Sequence, residues 1–381
     1  MQNQNWQKLL AVATVTVLIV SFTTLAVAQR VSSEDRNSIF ASAAKDATNI
    51  KGVSFFAAPP KSFDPLKASN RELLGYGLPQ RPDASDVKAT AKWERMIVAA
   101  KHRADPSKGV VKPFSSREMM PSKAAATSDV DGTVSYGSYN WSGIANFNTL
   151  TKWNTKTSFD EVVSYFNVPV AQPPFGACNN NITGPFYQVA WNGIDGAFNG
   201  DVVQGGSLSA ADCFGDTLYE GWTEWYPSYA ILAWFYVNPG DDFVAVTYGA
   251  PGTDTQTVFI EDITLQTYAS VAMGYVTGPG LVGKSAEYIV ERPCCDGDGF
   301  PLPLTNYIFE FMGYNWAYDA AGTLFYPGNT GSHNAIFTMV DDGDTQDISL
   351  PLIYGTAGNA GRYSIMFEDE NCAYVGGCTP D

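Results

Sequence analysis

Histidine is nearly missing from this chain: His102 and His333 are the two it has in 381 residues. That scarcity removes much familiar chemistry. Beyond the first third of the chain, a Ser-His-Asp triad or a Cys-His pair would have to use His333, and no Gly-x-Ser-x-Gly elbow occurs. His-Glu-x-x-His is absent, which excludes the common zinc hydrolases. Asp-Thr-Gly and Asp-Ser-Gly triplets are absent as well, which disfavours the paired-aspartate enzymes. The cysteine spacings match no zinc pattern, so no metal and no other cofactor is expected. Carboxylate and amide chemistry is what remains.

Positive charge is the second scarcity. From Val130 to Asp381 there are 5 basic residues (Lys152, Lys156, Lys284, Arg292, Arg362) against 28 acidic ones, a balance of −23. So acidic a surface repels nucleic acid and anionic membranes, and neither is expected as a partner. It suits a protein that works in acid, where protonation relieves the repulsion. Arg30 to Asp129 has the opposite bias, 17 Lys or Arg against 11 Asp or Glu, or +6. This stretch reads as a propeptide held to the acidic domain by charge and inhibiting it.

Long apolar runs are also rare. The one candidate is Leu9 to Val27, uncharged, preceded by Lys8 and followed by the small residues around Ala26-Val27-Ala28. That is the pattern of a cleaved secretory signal. Residues 1–28 are therefore expected to be a signal peptide, 29–130 a propeptide and linker, and 131–381 the functional domain of a secreted, soluble monomer. Six cysteines (Cys178, Cys213, Cys294, Cys295, Cys372, Cys378) in an exported chain imply disulfides. Cys372 and Cys378 suit a small tail loop. The neighbours Cys294 and Cys295 are not expected to pair with each other.

Within the propeptide, Arg36 to Asn49 and Asp83 to Ala100 have helical composition and are joined by Pro-rich stretches, with a linker at Ala124 to Ser128. From Tyr136 the pattern becomes short β-rich runs between turn residues. These include Gln188–Ile194, Ala230–Val237, Phe243–Tyr248, Gln256–Ile260, Tyr288–Val290, Tyr307–Phe311, Ala335–Val340 and Arg362–Phe367. Such spacing predicts an all-β sandwich or barrel.

Five segments are too rich in aromatic and polar residues for a plain sandwich. They are Asn140-Trp141-Ser142-Gly143, Trp191-Asn192-Gly193-Ile194-Asp195-Gly196, Val202-Val203-Gln204-Gly205-Gly206, Tyr219 to Pro227, and Ala286 to Pro293. Strand alternation places Trp191 with Asp195, Trp222 with Glu224 and Tyr226, and Glu287 with Ile289 and Glu291. A sheet face studded with Trp, Tyr, Glu and Asp reads as a groove, because unpaired buried carboxylates are costly.

Together and in this order, the five segments resemble the glutamic peptidases, or eqolisins, which are pepstatin-insensitive acid endopeptidases. The resemblance runs from about Tyr139 towards the C-terminus. It implies an all-β fold of two packed, curved antiparallel sheets, a sandwich of the concanavalin A-like lectin/glucanase type, with the site on the concave face. It also implies catalytic roles for Gln204 and for Glu291, the second glutamate of its motif and not Glu287. Trp141, Trp191, Asp195, Glu224 and Tyr226 fall on its substrate-binding positions. Asn192, Gly206 and Thr223 depart from the usual pattern, which bears on subsite specificity.

The expected reaction is hydrolysis of peptide bonds in proteins. Glu291, with an ordinary pKa of about 4.3, takes a proton from water and returns it to the leaving amine. Gln204 stabilises the oxyanion with its NH2 and holds the water with its carbonyl. The alternative is a carbohydrate-binding or glycoside-hydrolysing sandwich, with Trp141, Trp191, Trp222 and Trp225 stacking on sugars and Glu224 and Glu291 as its carboxylate pair. Gln204 discriminates, since a glycosidase does not need it. Asp341 to Asp347 reads as a solvated acidic turn before a calcium loop. Asn140 and Asn181 head glycosylation sequons, and a glycan on Asn140 would crowd the groove.

Overall fold

The computed structural model describes residues 30–116, 127–128, 134–147, 157–180, 183–278, 280–295, 301–307, 309–327, 333–341, 347–354 and 364–369. The proposed signal, the sequon at Asn181, most of the Asp341–Asp347 stretch and Cys372 and Cys378 lie outside them.

The N-terminal segment holds helices α1 (Ser33–Ser42), α2 (Asn70–Gly75) and α3 (Val87–Ala99) and strands β1 (Lys45–Ala47), β2 (Val53–Phe56), β3 (His102–Arg103) and β4 (Val110–Val111). Each helix starts on a side-chain cap: Ser32 for α1, Asp86 for α3, and a Ser69–Glu72 capping box for α2. The expected helix at Asp83–Ala100 corresponds to α3 with a later start, whereas of Arg36–Asn49 only the part up to Ser42 is helical, in α1, and Lys45–Ala47 is strand β1 instead.

From residue 127 the named strands follow one another. They begin β5 (Thr127–Ser128), β6 (Val134–Ser138), β7 (Trp141–Phe147), β8 (Phe159–Asn167), β9 (Phe186–Ile194), β10 (Val202–Ala211) and β11 (Thr217–Tyr226). Next come β12 (Leu232–Tyr236), β13 (Asp242–Tyr248), β14 (Thr255–Asp262), β15 (Thr267–Gly274) and β16 (Ser285–Glu291). Last are β17 (Phe309–Asp319), β18 (Leu324–Phe325), β19 (His333–Val340), β20 (Asp347–Tyr354) and β21 (Ser364–Asp369).

They form a two-sheet, mostly antiparallel sandwich. One sheet runs β4-β12-β11-β10-β9-β16-β7-β19-β6-β5, with β19 and β6 parallel. The other runs β21-β17-β8-β13-β14-β15-β2-β1, and β20 links the two by pairing with both β19 and β21. The dry core between them includes Ile144, Phe166, Ile194, Val203, Trp225, Phe243, Val258, Ile260 and Tyr288. Asn192, one of the departures from the family pattern, also points between the sheets. Its Nδ2 donates to Ala245 O at 2.8 Å and its Oδ1 accepts from Thr247 at 2.7 Å. Thr223 likewise turns away from the groove to accept from Trp234 Nε1 at 2.8 Å.

The N-terminal segment is built into this frame, and charge is only part of what holds it. Strand β2 extends the second sheet by pairing Phe55 with Val271, and β4 extends the first by pairing Val111 with Leu232. Ile39, Phe40, Leu73, Leu74, Trp93, Met96 and Ile97 cover the outer face of the second sheet, packing with Tyr165, Val244, Val246, Phe259 and Tyr314. Ion pairs tie the two parts together as the charge bias suggested, Arg30 to Glu161 at 3.0 Å and Arg36 to Asp160 at 3.3 Å among them. The expectation of a segment held by charge is thus corrected: apolar burial, at about 25 cal/mol per Å2, acts alongside charge.

A disulfide joins Cys178 to Cys213, with Cα atoms 5.5 Å apart. Cys294 and Cys295 follow one another across a cis peptide.

Candidate active site on the open face of the first sheet

Strand alternation sends Trp141, Val189, Trp191, Leu208, Trp222, Ile289 and Phe337 to the face of the first sheet that points away from the core. Gln204 on β10, Glu224 on β11 and Glu291 at the end of β16 project among them, each fully buried in the intact chain. What covers them is the N-terminal segment itself. After β4, Lys112 N donates to Ile231 O at 2.9 Å and Ile231 N to Phe114 O at 3.3 Å. Ser115 then exchanges both backbone hydrogen bonds with Cys294, at 2.5 and 2.6 Å. The segment therefore crosses the face as an extended strand.

At Ser116 three side chains converge. The Glu291 carboxylate accepts from Asn140 Nδ2 at 2.7 Å and from Trp191 Nε1 at 2.8 Å, and the Ser116 hydroxyl donates to its Oε2. The same hydroxyl lies 3.3 Å from Gln204 Oε1, while Gln204 Nε2 donates to the Ser116 carbonyl at 2.7 Å. Glu224 Oε2 accepts from Gln204 Nε2 at 3.0 Å and from Ser116 N at 2.9 Å. Glu224 Oε1 has no hydrogen-bond partner among the described residues. Burial pushes the Glu224 carboxyl well above its ordinary range, the N–H of Ser116 pulls the other way, and the nearby Glu291 adds to the rise. Glu224 is thus suited to be the neutral acid of the group while Glu291, with three donors on it, is suited to be the anion.

Trp141 and Trp191 pack edge to face at 5.1 Å, so they form a wall that fixes the Trp191 donor. Tyr226 shares the face as expected and is only half-buried. Gly206 sits against this wall, where a Cβ would fall 1.9 Å from Ala190 O and 2.8 Å from Trp191 Cβ. Glu287 also lies on the face, but its Oε1 accepts the Ala197 N–H at 3.4 Å, away from Ser116.

Asp195 is not brought to this group. Strand β9 ends at Ile194, and Asp195 adopts a left-handed φ of 66°, so alternation no longer governs where it points. In register, Ile194 faces Ala286 while Val189 faces Glu291, which puts Asp195 roughly 20 Å along the strands from the glutamate. Its carboxylate accepts from the N–H groups of Val282, Gly283 and Lys284 at 2.6, 2.7 and 2.7 Å. Burial raises its pKa against the pull of those donors. Asp195→Ala would strand three N–H groups, each costing about 1–3 kcal/mol where it stays dry. A clear fall in thermal midpoint is the expected result, with kcat of the folded protein changed far less than by any change at Glu291.

Asn140 and Ser116 also belong to the group, although from the sequence no role is expected for either. Asn140 was legible as the residue before Trp141 in its motif. Its amide is engaged and fully buried, so a glycan there has no room. Ser116 carries no signal in the sequence.

A β-sandwich with buried carboxylates and an amide gathered on the backbone of an extended strand is the frame of a hydrolase acting on polypeptide. The Peptidase A4 family model matches residues 139–321, in agreement with the resemblance to the glutamic-type endopeptidases read from the sequence. Among solved structures the chain is similar to Scytalido-glutamic peptidase in complex with a transition-state analogue. Identity there is 19%, over 61% of this chain and 98% of that one, with a TM-score of 0.47. It is also similar to SCP-B, a member of the Eqolisin family, at 18% identity over 61% and 98% of the two chains with a TM-score of 0.46. Aspergilloglutamic peptidase from Aspergillus niger matches at 18% identity over 48% and 99%, with a TM-score of 0.40. No curated protein matches the chain.

Proposed function

We propose that the protein is a secreted endopeptidase working in acid, with Glu291 as general base and then general acid and Gln204 as oxyanion donor. The observation that carries this reading is the convergence of Glu291 and Gln204 on one hydroxyl and one peptide carbonyl, those of Ser116. With the segment removed, a water in place of that hydroxyl would lie between the Glu291 carboxylate and the Gln204 carbonyl. Glu291 accepts its proton as the oxygen attacks the substrate carbonyl, the Gln204 NH2 holds the developing oxyanion, and the same proton passes to the leaving nitrogen. Asn140 and Trp191 orient Glu291; Glu224 orients Gln204. Trp141, Trp191, Glu224 and Tyr226 line the substrate groove, whereas Asp195 fixes the loop at 282–284. The carbohydrate reading has less support, because Trp225 faces the dry core and Trp141 and Trp191 pack on each other.

In this reading residues 1–28 are a signal peptide, 29–130 an inhibitory propeptide, and 131–381 the catalytic domain. Acid acts unevenly on the clamps. Burial would raise Glu161, but Arg30 holds it below the ordinary range. Its stabilisation is thus present above about pH 4.3 and lost as pH falls through its lowered value. Asp160 has the opposite sign, burial outweighing Arg36, so its contribution is lost as pH rises. Digestion of a denatured protein at graded pH, with and without pepstatin, tests the activity. Cleavage confined to acid and indifferent to pepstatin is expected; none at any acid pH, or full inhibition by pepstatin, overturns the proposal.

A further inference from the structure

The strand that covers the groove does more than block it. Ser116 places two atoms where the proposed reaction places two others. Its carbonyl oxygen accepts from Gln204 Nε2 at 2.7 Å, the position of the developing oxyanion. Its own hydroxyl touches Glu291 Oε2 and lies 3.3 Å from Gln204 Oε1, the position of the attacking water. We propose that residues 112–116 are bound as a substrate is bound, with Ser116 as the residue whose carbonyl would be attacked, and that the Ser116 hydroxyl preserves the bond after it by occupying the water's place. This rests on the assignment of Glu291 and Gln204 as the reacting pair.

The contacts upstream of Ser116 then read as a specificity pattern. Two residues before it, Phe114 is nearly buried against Tyr187, ring centroids 5.1 Å apart, in the cluster that holds Trp222 and Leu302. Four residues before it, Lys112 pairs with Glu220, both largely shielded. Antiparallel pairing of the segment with Ile231 and Cys294 fixes its register by backbone alone. The favoured substrate is therefore an extended chain with an aromatic residue two positions, and a basic residue four positions, before the carbonyl attacked. The residue at that carbonyl is small and lacks a hydroxyl. Hydrolysis after it adds one water, giving a carboxylic acid at that residue and a free amine on the next.

The test uses the full-length precursor at acid pH, with fragments identified by mass spectrometry over time. Ser116→Ala removes the hydroxyl and admits water. The expected result is a fragment ending at residue 116 that accumulates at least tenfold faster than in the native chain, with earlier onset of activity on added protein. Ser116→Thr keeps a hydroxyl and should stay close to the native rate. No acceleration in Ser116→Ala, or equal acceleration in Ser116→Thr, overturns the proposal, the latter because it would point to packing. Glu291→Gln on the Ser116→Ala background should abolish the 116 fragment. If that double variant still digests added protein in acid, the assignment of the pair has failed, which is a separate outcome. Phe114→Ala or Glu220→Ala in the Ser116→Ala chain should slow cleavage at 116 several-fold; cleavage as fast as in the single variant would remove the specificity pattern.

Discussion

Glu291→Gln should abolish acid proteolysis while leaving a folded sandwich. The glutamine keeps the shape of the side chain but only one oxygen, so it can accept from Asn140 or from Trp191, 2.7 and 2.8 Å from the two different oxygens of the native glutamate, and not from both, and it takes no proton from water. General base and acid catalysis is worth about 10²–10⁴-fold, and here one group serves both steps, so a loss of about 10³-fold or more in kcat is expected. KM should move little, since the change removes a group that acts on the reacting atoms. The measurement is steady-state cleavage of a peptide substrate, with the β-sheet signal and the melting transition as folding checks. A Glu291→Gln enzyme within tenfold of native would sink the assignment. Glu287→Gln is the matched control: its carboxylate faces the Ala197 turn, and it should be much less harmful.

Gln204→Ala carries the second largest effect, for a different reason. Among the described residues, the amide is the only side chain that touches the Ser116 carbonyl and the Ser116 hydroxyl through two different atoms, Nε2 and Oε1. Loss of one preorganised oxyanion donor costs about 10²–10³-fold, or about 2.7–4 kcal/mol, and truncation to alanine also removes the carbonyl that holds the water. A fall at or beyond the upper end of that range is expected. Gln204→Glu separates the two roles. It retains an oxygen for the water, but at pH values where it is charged it has no donor for the oxyanion. Its residual activity should therefore rise towards low pH, where the new carboxyl is protonated, relative to the native profile. A Gln204→Glu profile parallel to the native one would mean that the NH2 of Gln204 is not needed in the transition state.

How much of this was legible in the sequence depended on range. Glu291, Gln204 and Glu224 sit inside local motifs, and alternation correctly put Trp222 with Glu224 and Tyr226, and Glu287 with Glu291, on one face. The same rule failed at Asp195 because the strand stops one residue earlier and the backbone turns left-handed there. Strand β8 shows no clean alternation in the sequence, for a different reason. Its inward residues Val162 and Phe166 meet the core, and its outward Val163 and Tyr165 are covered by the N-terminal helices. Burial on both sides erases the polar alternation that marks a strand. Trp225, a sugar-stacking candidate by composition, turned inward, with its Nε1 on Asp201 at 2.7 Å. Ser116 could not be found by any local pattern, because it meets Glu291 across 175 positions of sequence.

The pairing of β2 with β15 and the seat of Ser116 on Glu291 have a consequence for the order in which the chain is made. Phe55 and Ser116 leave the ribosome well before Val271 and Glu291, the partners that give them a place. Until those arrive the covering strand has little to hold it, and contacts of such sequence separation close slowly. Yet every nascent chain that reaches Glu291 already carries its own plug, tethered and waiting at high effective concentration. Throughout synthesis, then, if Glu291 and Gln204 are the reacting pair proposed above, they meet residues 112–116 of their own chain before any neighbouring polypeptide, so the direction of translation adds a safeguard to the proposed need for acid.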